Sequence, residues 1–598
     1  MQLPHLLFGL GITFSLSLAS CPADAALWED ASMATIGMTG GWSNKVELAD
    51  INGDGRVDLL FANGRGYTSP EGPEVNYAFL NQGPGQAFQE VGMALFGEAD
   101  SSRVIKARDV DGDGDLDLFV GNTWGSQSRL YLGDGGGIFE EVTASHLPQI
   151  DASIGDAEFG DVDGDGDLDL VLAEWGQGDP STNGGGITRL WLNDGGGVFE
   201  EAAAAQMPAI QVAWSWELEL VDIDNDYDLD LAISCKSCEG SYLFVNDGSG
   251  NYTDSSSKLP QSPNNYDFEA LDLNGDTFVD LITINDNDPG TREHIFIGDG
   301  QGGFVDETAE RWPDSENPAG DDNMVAFLDV DSDGDADFVL AGLFGQPDRL
   351  VQNDGAGKLS LVIDAFGPAS SPGTLGIAVA DLNGDGRLDV VMAEGEADDP
   401  DVLLFGVDIA VDSAPPVIDR VEALAQHDGQ ALTVRARVHD NKTPVADHDF
   451  SSVSLRYGLE EANQEAPMSW YGGLLWRVDL PPQPAGNLVY RVCATDSAGN
   501  EACSDEQTTP IVPADTSGSE SSTSDGTGDS GNNGSTASSK GDTMTASSGG
   551  ADDSGEAGCG CAQGQSDGLP LHGLVFIALG PFVLRRRAGG PGKGRRPA

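Results

Sequence analysis

Seven times before residue 412 an apolar run gives way to a short acidic stretch, and a second apolar run follows at once. The second runs read Asp58-Leu-Leu-Phe61, Asp117-Leu-Phe-Val120 and Asp169-Leu-Val-Leu172. Apolar runs of that length, bounded by turn residues, predict buried β-strands. Further along each unit comes an alternating segment, then Asn or Asp with Gly, then an aromatic. Arg129-Leu-Tyr-Leu-Gly-Asp-Gly-Gly-Gly-Ile-Phe139 is one copy and Arg189-Leu-Trp-Leu-Asn-Asp-Gly-Gly-Gly-Val-Phe199 another; residues 242–252 and 294–304 repeat it, and 79–88 and 350–359 carry weaker copies. This is a hairpin pattern. Each unit therefore holds four short strands, and such units in tandem predict the blades of a propeller.

The last arm of the hairpin reads Phe139-Glu-Glu, Phe199-Glu-Glu and Phe304-Val-Asp in the middle units, yet after the seventh acidic stretch the chain supplies only residues 402–406. The missing arm stands at the other end, as Trp28-Glu-Asp-Ala-Ser32. The N-terminal strand is thus expected to complete the last unit and leave no long unpaired edge.

The acidic stretches share one spacing, Asp-x-Asp/Asn-x-Asp-x-x-x-Asp. Side chains at positions 1, 3, 5 and 9 can converge on one cation, with the position-7 carbonyl beside them. The candidate ligands are Asp50, Asn52, Asp54 and Asp58 in loop 1; Asp109, Asp111, Asp113 and Asp117 in loop 2; and Asp161, Asp163, Asp165 and Asp169 in loop 3. Loop 4 offers Asp222, Asp224, Asp226 and Asp230; loop 5 offers Asp272, Asn274, Asp276 and Asp280. Asp329, Asp331, Asp333 and Asp337 form loop 6, and Asp381, Asn383, Asp385 and Asp389 form loop 7. An all-oxygen set rich in carboxylates suits Ca2+, up to seven ions in all; the absence of thiolate and imidazole argues against zinc or copper. Position 12 is apolar (Phe61, Val120, Leu172), where an EF-hand would carry glutamate. Glycine at position 6 (Gly55, Gly114, Gly166, Gly334, Gly386) allows the sharp turn around an ion. Tyr227 and Thr277 replace it in loops 4 and 5, and β-branched Thr277 makes the Asp272 loop the weakest expected site.

Across residues 27–412 these loops and hairpins resemble the FG-GAP/VCBS repeats of the integrin-α-type propeller. The resemblance implies an extracellular protein that holds calcium at these loops and engages proteins or glycans through other loops of the ring.

Composition narrows the partners. A formal charge of −71 and a pI near 4.1 exclude general nucleic-acid binding, which needs lysine and arginine. Calcium can still bridge an acidic glycan to an acidic protein. Cys235 with Cys238, and Cys493 with Cys503, read as disulfides of an exported chain.

The remaining segments suggest display at a surface. Residues 1–25 read as a signal peptide with an apolar core at 6–19, too short to span a bilayer. Ala23-Asp-Ala25 offers one cleavage site; Leu18-Ala-Ser-Cys21 resembles a lipobox that would leave lipid on Cys21. The expected propeller occupies 26–412. Residues 413–513 carry alternating strands ending in Tyr490-Arg-Val-Cys-Ala-Thr-Asp496-Ser-Ala-Gly-Asn500, similar to immunoglobulin-like or fibronectin type III β-sandwich modules. Residues 514–558, rich in Ser, Gly, Thr and Asp, are expected to be a disordered linker. Residues 559–598 combine Cys559 and Cys561, a hydrophobic anchor segment at 569–584 and Arg585-Arg-Arg587. That combination resembles the myxobacterial C-terminal sorting signal, which implies attachment to the outer membrane and cell surface, with lipid at Cys559 or Cys561. An ordinary single span is the other reading, short for a bilayer and broken by Pro581.

No H-E-x-x-H, G-x-S-x-G or Walker pattern is present, and residues 26–412 hold only His146 and His294. The expected function is therefore adhesion or recognition of an extracellular protein or glycan, not catalysis. The alternative is a polysaccharide-active lyase or glycosidase, since carboxylates are too abundant to exclude one by counting. Trp124, Trp175, Trp214 and Trp216 either stack on sugars at a ring face or pack between blades.

Overall fold

The computed structural model describes residues 26–512 apart from 151, 286–291, 344, 368–372, 397–398, 426–429 and 446. The expected signal peptide, linker and anchor, with Cys21, Cys559 and Cys561, lie outside the described residues. The chain divides into a unit of residues 1–519 and one of 520–598. No helix among the described residues is long and apolar enough to cross a membrane.

The described chain is all-β, with a few short helices. Each acidic loop joins the first two strands of its own antiparallel sheet. In sheet 2 the strands are Ser102–Arg108, Asp117–Asn122, Arg129–Gly133 and Phe139–Glu141, in that order across the sheet. The second strand of every sheet is buried at each residue, for example Asp58–Asn63 and Asp337–Gly342. Neighbouring sheets cover both of its faces, and for that reason it reads as an unbroken apolar run. The fourth strands are two or three residues long and largely exposed, which keeps the outer edges short.

The first strands pack side by side around an axis: Ser43–Ala49 touches Ser102–Arg108, and so on round to Thr374–Ala380, which touches Ser43–Ala49 again. Such a ring of radiating four-stranded sheets is a β-propeller. In the last sheet Trp28–Asp30 pairs with Val402–Gly406, Trp28 opposite Gly406. The N-terminal arm does complete the sheet that the C-terminal end of the ring begins. Trp28 is 2 % exposed and stacks on Phe366, centroids 4.9 Å apart.

Two further sheets follow. One contains Val417–Val421, Leu432–His439, Leu475–Leu480 and Ser469–Gly472; the other is centred on Phe450–Leu459 and Gly486–Asp496. Their inner faces meet through Val434, Ala436, Leu455, Tyr490 and Val492, so this second domain is a β-sandwich. Cys235–Cys238 and Cys493–Cys503 are both disulfide-bonded.

Candidate metal sites

Each loop opens where a first strand leaves the ring and closes on an aspartate that starts the second strand. The position-1 carboxylate turns back onto the loop: Asp109 accepts the N–H of Gly112 at 2.8 Å on Oδ1 and of Gly114 at 3.0 Å on Oδ2. The position-5 carboxylate accepts the position-7 N–H, as Asp113 does from Asp115 at 3.0 Å. The position-9 aspartate is the most constrained. In all seven loops one of its oxygens takes the position-2 N–H and the other takes an N–H at the end of the third strand, at 2.7–3.2 Å. Asp117, for instance, joins Val110 to Gly133. These seven aspartates therefore pin loop to hairpin, a role their spacing did not suggest.

All seven are at most 1 % exposed. Burial, reinforced by the neighbouring acids, pushes the Asp230 carboxyl up to about 9 and those of Asp169, Asp337 and Asp389 to about 8. Asp58 and Asp280 rise to about 7 and Asp117 to about 6 for the same reason. Carboxyls so placed ionise readily only beside a countercharge. Carboxylate oxygens of Asp109, Asp111 and Asp117 lie within 4.8 Å of one another; so do those of Asp161, Asp163 and Asp169, of Asp222, Asp224 and Asp230, and of Asp329, Asp331 and Asp333. That donor set fits a hard dication.

Loops 1, 5 and 7 differ. Their position-3 asparagine amides donate to the position-9 carboxylate: Asn52 to Asp58 and Asn274 to Asp280 at 2.9 Å, Asn383 to Asp389 at 3.3 Å. In loops 1 and 7 position 7 is arginine, and Arg56 and Arg387 pair with Asp54 and Asp385. These three loops hold three aspartates each, where loops 2, 3, 4 and 6 hold five.

The sandwich docks on this same face. Arg437, 2 % exposed, donates to the Asp222 carbonyl at 3.0 Å, Asp222 Oδ2 at 3.2 Å, Asn225 Oδ1 at 3.1 Å and the Thr277 carbonyl at 3.3 Å. Arg477 pairs with Asp161, and Arg435 reaches Asp228 at 3.3 Å. The Tyr471 hydroxyl donates to the Tyr227 carbonyl at 2.8 Å, and Arg420 to Thr277 Oγ1 at 3.4 Å. Sequence reasoning missed all of these arginines, because none lies near a loop along the chain.

One cavity lies inside the ring and another opens against the loops. The first, of about 100 Å³, follows the ring axis, lined by first-strand residues and by Lys442, Pro444 and Val445 of the sandwich. Inside it Lys45 pairs with Asp156 and Glu217, and Lys106 with Glu158. The other, about 780 Å³, is a cleft between loops 1 and 7 and the sandwich, lined by Asp50, Arg56, Asp381, Asp385, Asp440 and His448.

The tryptophans do not form an exposed platform. Trp175 is 3 % exposed and Trp214 and Trp216 are 7 % exposed; Trp175 stacks on Trp216 with centroids 5.4 Å apart. They share one cluster with Tyr266, Leu343 and Leu375 from other sheets. For these three the sugar-stacking reading fails, because rings from several sheets bury one another there; Trp124 stands apart, half-buried, with its Nε1 donating to the Gly66 carbonyl at 2.9 Å.

An FG-GAP-like repeat family matches residues 50–120, 109–172, 222–283 and 329–392, and all seven loops fall within those segments. No curated protein sequence matches the chain. Among solved structures, the extracellular domain of a one-component system of B. thetaiotaomicron is similar at 9 % identity and a TM-score of 0.36, over 82 % of this chain and 58 % of that one. The chain thus spans little more than half of that relative. The Photorhabdus luminescens Tc holotoxin pore aligns over 78 % of this chain and 20 % of its own, at 12 % identity and TM-score 0.32. A Bombyx mori GH32 β-fructofuranosidase aligns over 82 % and 90 %, at 10 % identity and TM-score 0.25.

Proposed function

We propose that the chain is an exported, calcium-loaded, seven-bladed β-propeller, joined to an immunoglobulin- or fibronectin-III-like sandwich, that recognises an extracellular protein or glycan at the cell surface. The observation that carries this reading is the repeated loop geometry: the same aspartate positions, bracketed by the same backbone N–H groups, at the same end of seven successive sheets. Calcium is the ion that an oxygen-only, carboxylate-rich donor set favours. It would be held by the side chains at positions 1, 3, 5 and 9, and once bound it supplies fixed positive charge on an otherwise acidic surface. The cleft between loops 1 and 7 and the sandwich has the size of a ligand site at a domain boundary. With both loops loaded, a carboxylated or hydroxyl-rich glycan, or an acidic protein loop, would meet cations there. The two disulfides support maturation in an oxidising compartment.

The test is retention of the purified protein on immobilised polysaccharides and envelope fractions, with calcium and with chelator, scoring bound protein and released sugar. Calcium-dependent retention without release is expected. Release of oligosaccharide would replace recognition with catalysis, and no retention on any surface would remove the recognition reading.

A further inference from the structure

Left-handed backbone at loop positions 4 and 6 is required in all seven loops, and fourteen residues meet that requirement. Ten are glycines, such as Gly112 (φ 75°) and Gly114 (φ 93°) in loop 2. Four are not: Asn225 (φ 64°) and Tyr227 (φ 66°) in loop 4, Thr277 (φ 70°) in loop 5 and Ser332 (φ 59°) in loop 6. Side chains resist this conformation, most of all bulky and β-branched ones.

Each of the four is held from outside the ring. Arg437 donates to Asn225 Oδ1, and Tyr471 to the Tyr227 carbonyl. Arg437 also reaches the Thr277 carbonyl, and Arg420 its hydroxyl. Ser332 Oγ accepts the N–H groups of Ser413, at 2.9 Å, and Ala414, at 3.0 Å, where the chain leaves the ring for the sandwich. Loop 3 is the internal control: Arg477 and the Tyr471 carbonyl touch Asp161, yet positions 4 and 6 are Gly164 and Gly166.

We infer that the sandwich is a working part of the metal sites in loops 4, 5 and 6, holding them in the cation-ready conformation that loops 1, 2, 3 and 7 reach with glycine at both positions. Arg437, which spans loops 4 and 5, is the principal positioning residue. It meets Asp222 at the carbonyl and at Oδ2, and Oδ1 accepts the Asp226 N–H from within the loop. Metal binding at these three loops and docking of the sandwich therefore reinforce each other, whereas loops 1, 2 and 7 load independently and loop 3, touched only at Asp161, needs no hold on its turn. This rests on the calcium reading proposed above.

The experiment is hydrogen exchange of the full chain, titrated with calcium and followed loop by loop. In the wild type, calcium protects all seven loops. In Arg437→Met the midpoint for residues 222–230 and 272–280 is expected to rise by about tenfold, with 50–58, 109–117 and 381–389 unmoved. Adding Asn225→Gly and Thr277→Gly to Arg437→Met is expected to recover most of the loss, since glycine needs no external hold. Tyr471→Phe, which removes one hydroxyl, gives a milder shift confined to loop 4 and serves if Arg437→Met does not fold. Unchanged midpoints at loops 4 and 5, equal shifts at every loop, or failure of the glycine rescue would each overturn the inference. Protection of the glycine loops without loops 4–6 in the wild type would overturn it too, while leaving the calcium reading intact. No calcium-dependent protection anywhere would remove the calcium reading itself.

Discussion

Loop 2 and loop 4 carry the same five aspartates in the same order, and they reach the same geometry by different means. Loop 2 uses Gly112 and Gly114, and its carboxylates bond N–H groups of its own sheet. Loop 4 has Asn225 and Tyr227 in those places and leans on Arg437 and Tyr471, more than two hundred residues away along the chain. The carboxylate pattern decides where a cation can sit. The residues between the carboxylates decide whether that site belongs to one sheet or to two domains.

Removing the cation should have the largest effect, because it touches both kinds of loop. Each loop then holds three to five carboxylates that its nearby arginines, where it has them, offset only in part, and a site saturated a hundredfold above its dissociation constant contributes about 2.7 kcal/mol. Chelation is expected to lower the thermal midpoint by about 10 °C or more, read by calorimetry. A midpoint that does not move would mean the loops are held by hydrogen bonds alone.

Next in size is the contrast between two arginines. Arg437→Met strips a buried guanidinium from four acceptors and leaves Asp222 buried without its partner, a loss of about 3 kcal/mol in urea unfolding. Arg477 is 18 % exposed in its side chain and reaches only the carboxylates of Asp161 and Asp479, so Arg477→Met should cost less, about 1–2 kcal/mol, even though Asp161 is buried. Equal costs would erase the distinction between sandwich-held and self-supporting loops.

A third pair works inside the loops. An added Cβ at Gly114 meets nothing within 4 Å, so Gly114→Ala isolates the backbone cost, about 1–2 kcal/mol at φ 93°. Ser332→Gly relieves the same strain while deleting the acceptor for Ser413 and Ala414, and should come out near zero. Urea unfolding of both variants in saturating calcium measures the difference.

Much of this architecture is legible in the sequence. Regular aspartate spacing beside buried apolar runs marked the loops and the second strands, and the lack of a hairpin arm after 402–406 pointed to Trp28 as its completion. What escaped were contacts whose partners leave no local trace. Lys45 meets Asp156 from a different sheet, and Arg437 meets Asp222 from a different domain. The position-9 aspartates bind backbone N–H groups at the end of the third strand, always of an Asn or a Gly, and a main-chain donor does not mark the aspartate as its partner. Tyr227 and Thr277 were visible as departures but read as defects. They are the points where the second domain takes hold. Tryptophans at strand ends look the same whether they face solvent or one another.

The smallest expected effect is also the most specific to the sandwich-held loops. His439 is 6 % exposed; its Nδ1 donates to the Asp440 carbonyl at 3.1 Å and its Nε2 lies 3.5 Å from Asp419 Oδ2. Both ring nitrogens thus face acceptors, which suits the imidazolium. Burial pulls the imidazole down, but the Asp419 carboxylate and the Asp440 carbonyl outweigh it and hold its pKa above the usual histidine range. Burial likewise opposes the Asp419 carboxylate, yet His439, Arg437 and Arg420 keep it below the usual aspartate range. A raised histidine contributes stability that is complete below its unfolded pKa and is lost as pH rises through the folded value. A depressed aspartate contributes above its unfolded pKa and loses that contribution as pH falls through the folded one. The pair therefore works best between the two unfolded values, about pH 4 to 6.5, and weakens on the alkaline side. When the imidazolium is lost, Asp419 is left to Arg437 and Arg420, the side chains that hold loops 4 and 5. Between pH about 6 and about 8.5 in saturating calcium the His439 share of the loss should be about 1 kcal/mol or less, read as the reduction in slope on His439→Gln, while Asp440, which burial raises to about 8, supplies part of what remains. Hydrogen exchange should then quicken at residues 272–280 and stay unchanged at 109–117. Equal quickening at both would mean that pH acts on the carboxylate loops directly and not through the sandwich.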